Sequence, residues 1–408
     1  MTRDLRITPD TPPLPEASEL FEGWGRTTVG AMATEKATYG ANEKGRGLPR
    51  GHAVVRSGDI RGGRITCDEP HDEPTVVGRR RLTTGRPILR TGDLALVLVG
   101  DRAGEAALVT PQHNDWIATR SVGILRCAHR RETRWLRIWL QTPIAQAWIR
   151  RETSAHVEAT LSIDALKKMP AALPPPGHMD RILRLFDLID EKTELNDAIA
   201  ADAIALADAY FDAWRRHGAE WTSRSFGEVA DAVTGSPPPK SPKADAVTTA
   251  RVSPAEVLAA NPPYIDEAAD HGYADPRSVC PPGTVLVCPR PEGARAAVTS
   301  TSMTPNRGVL AVRPSDGLDQ WWLLHELRSR SDELPKAAQG QQAREISRLA
   351  FSRLQVLWPE AEVRQRFHRV AQPLHDRALK ALDENRTLTR LRVSLLREIT
   401  SRGSSAAS

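Results

Sequence analysis

Asn261-Pro262-Pro263-Tyr264 is the tetrad with the most pointed chemistry in the sequence. An asparagine carbonyl and a backbone carbonyl can accept hydrogen bonds from the exocyclic amine of an extruded adenine while a tyrosine ring stacks on the base, the grip an adenine methyltransferase needs. The surroundings do not suit that chemistry. Such a tetrad should end a buried strand, yet residues 253 to 260 (SPAEVLAA) are short and helix-like, and no glycine-rich strand-to-helix turn lies upstream to hold S-adenosylmethionine. An adenine-specific methyltransferase using Asn261 to Tyr264 is thus the alternative reading.

Other catalytic patterns are missing. The chain has no G-x-x-x-x-G-K-[ST] for ATP, no H-E-x-x-H for zinc and no G-x-S-x-G for a serine nucleophile. His156 and His178 read as surface or satisfied core residues rather than bases. Cys67, Cys127, Cys280 and Cys288 form no C-x-x-C and read as reduced thiols, with no metal site.

Arginine is the residue type that does accumulate. Residues 51 to 160 hold 17 Arg against 12 acidic residues. Arg56, Arg61 and Arg64 flank the turn Gly58-Asp-Ile-Arg-Gly-Gly63, Arg79, Arg80, Arg81 and Arg86 form a second group, and Arg120 follows. Lys240, Lys243, Arg290 and Arg307 are the candidates in the second half. A guanidinium fork matches both phosphate and the guanine edge, and most arginines of a DNA reader contact phosphate. A solvated surface charge is the competing reading for each.

The elements that would position these groups follow from a wider view. A chain of 408 residues calls for two or three domains, and 40% hydrophobic with 26% charged residues fits a globular protein. The net charge of +5 is modest and decides nothing alone. No run of about 18 apolar residues and no signal-peptide core is seen, so a soluble cytoplasmic protein without a membrane partner is expected.

The chain repeats itself. Trp24-Gly-Arg-Thr-Thr-Val29-Gly30 recurs as Trp221-Thr-Ser-Arg-Ser-Phe226-Gly227. Gly92-Asp-Leu-Ala-Leu-Val-Leu-Val and Gly104-Glu-Ala-Ala-Leu-Val answer to Gly283-Thr-Val-Leu-Val-Cys and Gly293-Ala-Arg-Ala-Ala-Val, a hairpin pattern in each half. Arg120-Ser-Val-Gly-Ile-Leu-Arg126 matches Arg307-Gly-Val-Leu-Ala-Val-Arg313, and Trp135-Leu136 matches Trp322-Leu323. The proline-rich stretch Ser236 to Lys243 thereby falls inside the second copy, as a loop stiffened in extended form.

Each copy ends in a long helical pattern. The first seam runs through Ile182, Leu185, Ile189, Asn196, Ile199 and Leu206, and the second through Leu374, Asn385, Leu388, Leu395 and Ile399. Asn196 and Asn385 share a heptad phase, where a buried amide fixes register at a cost in stability; two solvated edge residues are the alternative. Residues 180 to 213 carry net −6 and residues 366 to 399 net +4, so the helices should attract along their flanks, unless both faces are merely solvated. Pro373 should kink or begin the second helix.

Two mixed domains in repeat, each followed by a long helix, resemble the specificity (S) subunit of Type I restriction-modification systems. The most specific parts are Gly58-Asp59-Ile60 leading to Leu89-Arg90-Thr91-Gly92-Asp93-Leu94, and Leu185-Phe-Asp-Leu-Ile-Asp-Glu-Lys-Thr-Glu-Leu-Asn196, with Leu382-Asp-Glu-Asn385 where a second copy should sit. The second half departs, with Gly283-Thr284 for the Gly-Asp pair and no match to Gly58-Asp59-Ile60.

The resemblance implies an α+β fold: two mixed α/β target-recognition domains in pseudo-repeat, joined by two long antiparallel coiled-coil helices. The expected division is an extension over 1–21, recognition domains over 22–176 and 218–359, spacer helices over 177–217 and 360–402, and a tail over 403–408. It further implies a non-catalytic subunit whose domains each read half of a bipartite target on double-stranded DNA. Adenine methyltransferase (M) subunits would dock on it, and a restriction/translocase (R) subunit would join. No cofactor is expected in this chain; S-adenosylmethionine, ATP and Mg belong to the partners. A helical scaffold that binds only protein is a further alternative.

Overall fold

The computed structural model describes residues 23–41, 53–67, 87–153, 159–216, 221–238, 245–290, 293–337 and 346–401. The chain divides into two units, residues 1–191 with 387–408 and residues 192–386, so each unit owns a segment of both long helices.

The first unit opens with β1 (Gly25–Thr28) and α1 (Val29–Met32), then β2 (Lys36–Tyr39), β3 (Val54–Val55), β4 (Ile60–Arg61), β5 (Arg64–Ile65), β6 (Leu94–Val97), β7 (Ala106–Leu108), β8 (Ile117–Ala118) and β9 (Val122–Arg126). Helices α2 (Arg130–Leu140), α3 (Pro143–Thr153) and α4 (Ile163–Lys168) precede β10 (Pro170–Leu173) and the 41-residue α5 (Pro176–Arg216). Its main sheet has the order β2-β9-β6-β7. β1 pairs antiparallel with β10, and β3 parallel with β8.

The second unit repeats this plan with β11 (Thr222–Ser225), α6 (Phe226–Val229), β12 (Ala230–Thr234), β13 (Val247–Val252), α7 (Pro254–Ala259), β14 (Tyr264–Ile265), β15 (Asp270–Ala274), β16 (Val285–Cys288), β17 (Arg295–Thr299), β18 (Met303–Pro305) and β19 (Leu310–Pro314). Then come α8 (Gln320–Ser329), α9 (Leu334–Ala337), α10 (Arg348–Arg353), β20 (Gln355–Trp358) and the 41-residue α11 (Ala361–Ser401). The main sheet runs β12-β19-β16-β17-β14, the same order with one strand added, and a second sheet runs β15-β13-β18.

The recurring residues are those that the fold cannot do without. Trp24 meets Trp135 edge to face at 5.7 Å, and Trp221 meets Trp322 in the same way at 5.3 Å. A Cβ on Gly30 would lie 2.9 Å from Cβ of Lys167, and one on Gly227 2.9 Å from Cβ of Ser352, so both glycines let a short helix close on its neighbour. Gly92 and Gly283 adopt φ of +92° and +84° at the turn into β6 and β16, a backbone region that glycine enters without steric cost. β6 and β16 are buried throughout, as their unbroken apolar runs require.

The missing counterpart of Gly58-Asp59-Ile60 exists in another form. The Asp59 carboxylate accepts the N–H of Arg56 at 2.7 Å, and the Glu256 carboxylate accepts the N–H of Ser253 at 2.7 Å. A capping box does the work of the Gly-Asp turn, with one methylene more and an α-helical turn in place of a 3-10 turn.

The long helices run antiparallel: within the second unit Asn196 faces Asn385, and Phe211 faces Phe367. Asn196 is buried, and its amide nitrogen donates to Asn385 Oδ1 at 3.0 Å and to Glu384 Oε2 at 3.1 Å, while Lys192 donates to Asn196 Oδ1 at 2.8 Å. Asn385 in turn donates to Asp197 at 2.7 Å. Each amide thus has partners on the other helix, and a shift of register would separate them.

The first seam needs correction. Leu185 and Leu206 are 40% and 47% exposed, and Ile182 and Ile199 are half-buried. The buried line of α5 runs through Leu183, Phe186, Ile189, Asn196, Ala200, Ala203, Ile204, Ala207 and Phe211. Two adjoining tracks of α5 are apolar, and in the second unit packing selects the one whose alanines meet Ala371, Ala378 and Ala381 within one core. In α11, Leu374, Asn385, Leu388, Leu395 and Ile399 are half-buried.

Of the two outcomes expected at Pro373, beginning the helix does not occur: α11 starts at Ala361 and passes through Pro373. Pro373 is exposed, while Phe367, Ala371, His375 and Ala378 on both sides are buried, so packing holds the helix across the missing N–H. Acidic side chains of the first long helix also pair with the domains. Arg131, Arg134 and Arg137 of α2 pair with Asp180, Asp187 and Asp190, and Arg328 of α8 pairs with Asp208. Between the helices, Arg392–Asp190 has the expected polarity and Lys192–Glu384 the opposite one. Among the described residues no helix is long and apolar enough to cross a membrane.

Candidate nucleic-acid interface

The Gly58 to Gly63 turn becomes a small hairpin. β4 pairs with β5 so that Arg61 stands directly opposite Arg64, with Gly62 and Gly63 at φ of +59° and +80° between them. Two like charges across a hairpin repel, so something else must hold it. Arg102 donates to the carbonyls of Ile60 at 2.5 Å and Ser57 at 3.0 Å, and Glu105 accepts the N–H of Gly62 at 2.5 Å. This support was not evident in the sequence, because Arg102 and Glu105 lie about forty residues away from the hairpin that they hold.

The two hairpin arginines differ in use. Arg64 is half-buried and donates to the carbonyl of Asp190 on α5 at 3.4 Å, which ties the hairpin to the helix. Arg61 is exposed and keeps its Nε near its own turn, donating to Gly58 O at 3.2 Å. Arg56, also exposed, caps the adjoining turn. Arg56 and Arg61 are therefore brought together on a braced, solvent-facing loop.

Arg120 and Arg307 occupy equivalent turns, before β9 and before β19, and both are exposed. Arg290 is half-buried in the β16–β17 connection. Arg79, Arg80, Arg81, Arg86, Lys240 and Lys243 lie outside the described residues.

The Gly-Asp motif is structural. Asp93 is buried and receives Arg126 through two bonds of 2.6 Å, while accepting the N–H of Arg90 at 2.8 Å. The bonded carboxylate raises the Arg126 pKa above its ordinary value. The departure at Thr284 is compensated: Arg313, the counterpart of Arg126, pairs with Asp231 at 3.5 Å, and Asp231 sits where the first unit has Lys36. Thr284 bonds instead to the carbonyl of Pro281 at 2.7 Å.

The Asn-Pro-Pro-Tyr tetrad is occupied otherwise. Tyr264 is buried with its hydroxyl 2.7 Å from His375 Nδ1; His375 Nε2 is 3.0 Å from His325 Nε2, and His325 Nδ1 is 2.6 Å from Asp208. Trp321 stacks on His375 at 3.6 Å and 6°. Burial pushes the Tyr264 phenol well up, and burial together with repulsion from His325 pushes His375 down to about 2. Burial opposes ionisation of Asp208, but bonds from His325 and Arg328 outweigh it and bring the carboxyl to about 2. This tyrosine ring is a packing element joining β14 to α11 and has no free face for a base.

The apolar track of α5 that stays uncovered carries Leu185, Leu188, Leu195, Leu206 and Tyr210, with Leu188 and Leu195 more than half exposed. Burial pushes the thiols of Cys127 and Cys280 up to about 11, so they are packing groups and not nucleophiles. No group of His, Cys, Asp and Glu among the described residues is arranged to hold a metal.

No protein-family model matches the chain, and no curated protein matches it. Solved structures do. The S subunit of the Type I restriction-modification system from M. genitalium superposes with a TM-score of 0.50 at 13% identity, over 98% of this chain and 99% of that one. The HsdS subunit from Thermoanaerobacter tengcongensis gives 0.32 at 18% identity, over 97% and 100%. A chain from a type I R-M system solved for its complex assembly and conformational transition gives 0.40 at 19%, over 94% and 99%. The likeness is one of fold and rests on the M. genitalium chain.

Proposed function

We propose that this chain is the DNA sequence-recognition subunit of a Type I restriction-modification complex, each unit reading one half of a bipartite target on double-stranded DNA. The observation that carries the reading is the duplication itself. Two units with the strand order β2-β9-β6-β7 and β12-β19-β16-β17 present an exposed arginine, Arg120 or Arg307, from the same turn. Duplicated scaffolds with divergent surface residues suit two different words read by one geometry, since sequence is read by the side chains that reach base edges. Arg56 and Arg61 on the braced hairpin add cation to the first unit, and Lys240 and Lys243 are the matching candidates in the second.

The same reading gives the helix pair its task, to set the gap and to dock adenine methyltransferase subunits. The uncovered leucines of α5 offer an apolar helical face of the kind that protein partners cover. S-adenosylmethionine, ATP and Mg would act on the methyltransferase and restriction/translocase partners, in the cytoplasm. A methyltransferase built on Asn261 to Tyr264 is disfavoured, because Tyr264 is buried against His375.

Selection from a pool of random-sequence duplexes tests this. The full chain, with its methyltransferase subunit, should enrich two short words at a fixed separation, and affinity should fall steeply with salt as counterions are released. Absence of enrichment, or binding insensitive to salt, would refute the reading.

A further inference from the structure

Arg251 on β13 is 1% exposed, and its three described hydrogen bonds all end on neutral oxygens: Nε to Asn306 Oδ1 at 2.9 Å, Nη1 to Tyr273 O at 3.2 Å and Nη2 to Ser236 O at 2.6 Å. Burial pulls its pKa down, and Asp270, its cross-strand partner on β15, opposes that by charge without a described hydrogen bond to it; a buried cation held this way is costly, so the position should have a reason.

The fold as such does not supply one. β13 pairs in parallel with β18 as β3 does with β8, and the bond from Asn306 N to Val252 O repeats the one from Thr119 N to Val55 O. That alignment places Arg251 where the first unit has Val54, itself buried. An aliphatic side chain serves the same core position in the sister unit.

What the arginine adds is a clamp on three segments. Ser236 follows β12, Tyr273 is on edge strand β15 with its side chain 47% exposed, and Asn306 immediately precedes the exposed Arg307. Gly272 makes room for the clamp, since a Cβ there would lie 2.9 Å from Arg251 Cδ. Gly235 brings two of the segments into contact, since a Cβ there would fall 2.0 Å from Asn306 O. The three coplanar nitrogens of a guanidinium reach three segments at once, which a lysine ammonium on a single stem does with less geometric definition.

We infer that Arg251 is a positioning residue of the second unit's reading surface, fixing the backbone of the segments that carry Tyr273 and Arg307 so that these side chains discriminate bases in one half of the target. The inference rests on the DNA-reading function proposed above. Arg251 itself acts through those segments and does not touch DNA.

The test uses the full chain with its methyltransferase subunit as wild type, R251V and R251K, in selection from random-sequence duplexes and in hydrogen exchange. Wild type should enrich two words. R251V, with the side chain found in the sister unit, should fold, keep one word unchanged and lose about tenfold or more of the base discrimination in the other; R251K should fall between. Exchange should rise in both variants around Ser236, Tyr273 and Asn306 while β16 stays protected. The inference is overturned if folded R251V reads both words as wild type does, if both words degrade together, or if both variants unfold. A wild type that enriches no pair of words overturns the DNA-reading function first and this inference with it.

Discussion

The buried chain from Tyr264 to Asp208 makes stability of the second unit depend on acid in a way that can be worked out. Asp208 accepts from His325 Nδ1–H, one Nε2 of the His325–His375 contact donates to the other, and the Tyr264 hydroxyl closes the row at His375 Nδ1. The sequence of donors is complete with His375 neutral. Its folded pKa is depressed to about 2, whereas an unfolded histidine titrates near about 6.5. The stabilisation is therefore present above about pH 6.5 and is lost as pH falls, because the unfolded chain takes up a proton that the folded one does not. Between about pH 7.5 and about pH 5 the loss from this one group is about 2 kcal/mol, well before Asp208 titrates. H375Q removes the titration while keeping an amide able to bond. Denaturant unfolding of the full chain, followed by tryptophan fluorescence to which Trp321 on His375 contributes, should show about 2 kcal/mol less acid sensitivity in H375Q than in wild type. Equal acid sensitivity in the two proteins would refute the reasoning.

Three further outcomes follow from the same geometry. D93N should destabilise the first unit by about 3 kcal/mol, since it strands the Arg126 guanidinium, while D231N at the exposed Arg313 pair should cost less than about 1 kcal/mol; both are read by thermal unfolding. R61A should lower DNA affinity and reduce the slope of log K against log salt by about 1, measured by titration at several salt concentrations. The double variant N196L/N385L should unfold no more readily than wild type but relax the helix register, seen as mixed products when cysteines placed across the helix pair are crosslinked.

The legible parts of this molecule are those where one residue type meets one steric demand. Gly30 and Gly227, Trp24 and Trp221, and Gly92 and Gly283 recur because each repeats a contact that no other side chain makes, and the duplicated fold could be read from them. The seam of α5 was misphased at Leu185 and Leu206 because two neighbouring tracks are equally apolar, and only the alanines facing them across the core decide between the two. The Asp59 turn and the Glu256 cap escaped matching because the same bond is made by side chains of different length. Tyr264 invited a catalytic reading because its partner His375 lies 111 residues away. Arg251, a single arginine in a strand of mixed polarity, gave no sign of its three acceptors.

Whether two duplicated units read two words is measured directly by modified-base sequencing of DNA from cells carrying this chain with its methyltransferase subunit. Methylated adenines should lie in a motif of two short words separated by an unread gap of fixed length, with one word changing and the other retained when residues 22–173 are exchanged for the equivalent domain of a relative. A single continuous motif, a change in both words on exchange, or no methylation dependent on this chain would contradict the two-word reading.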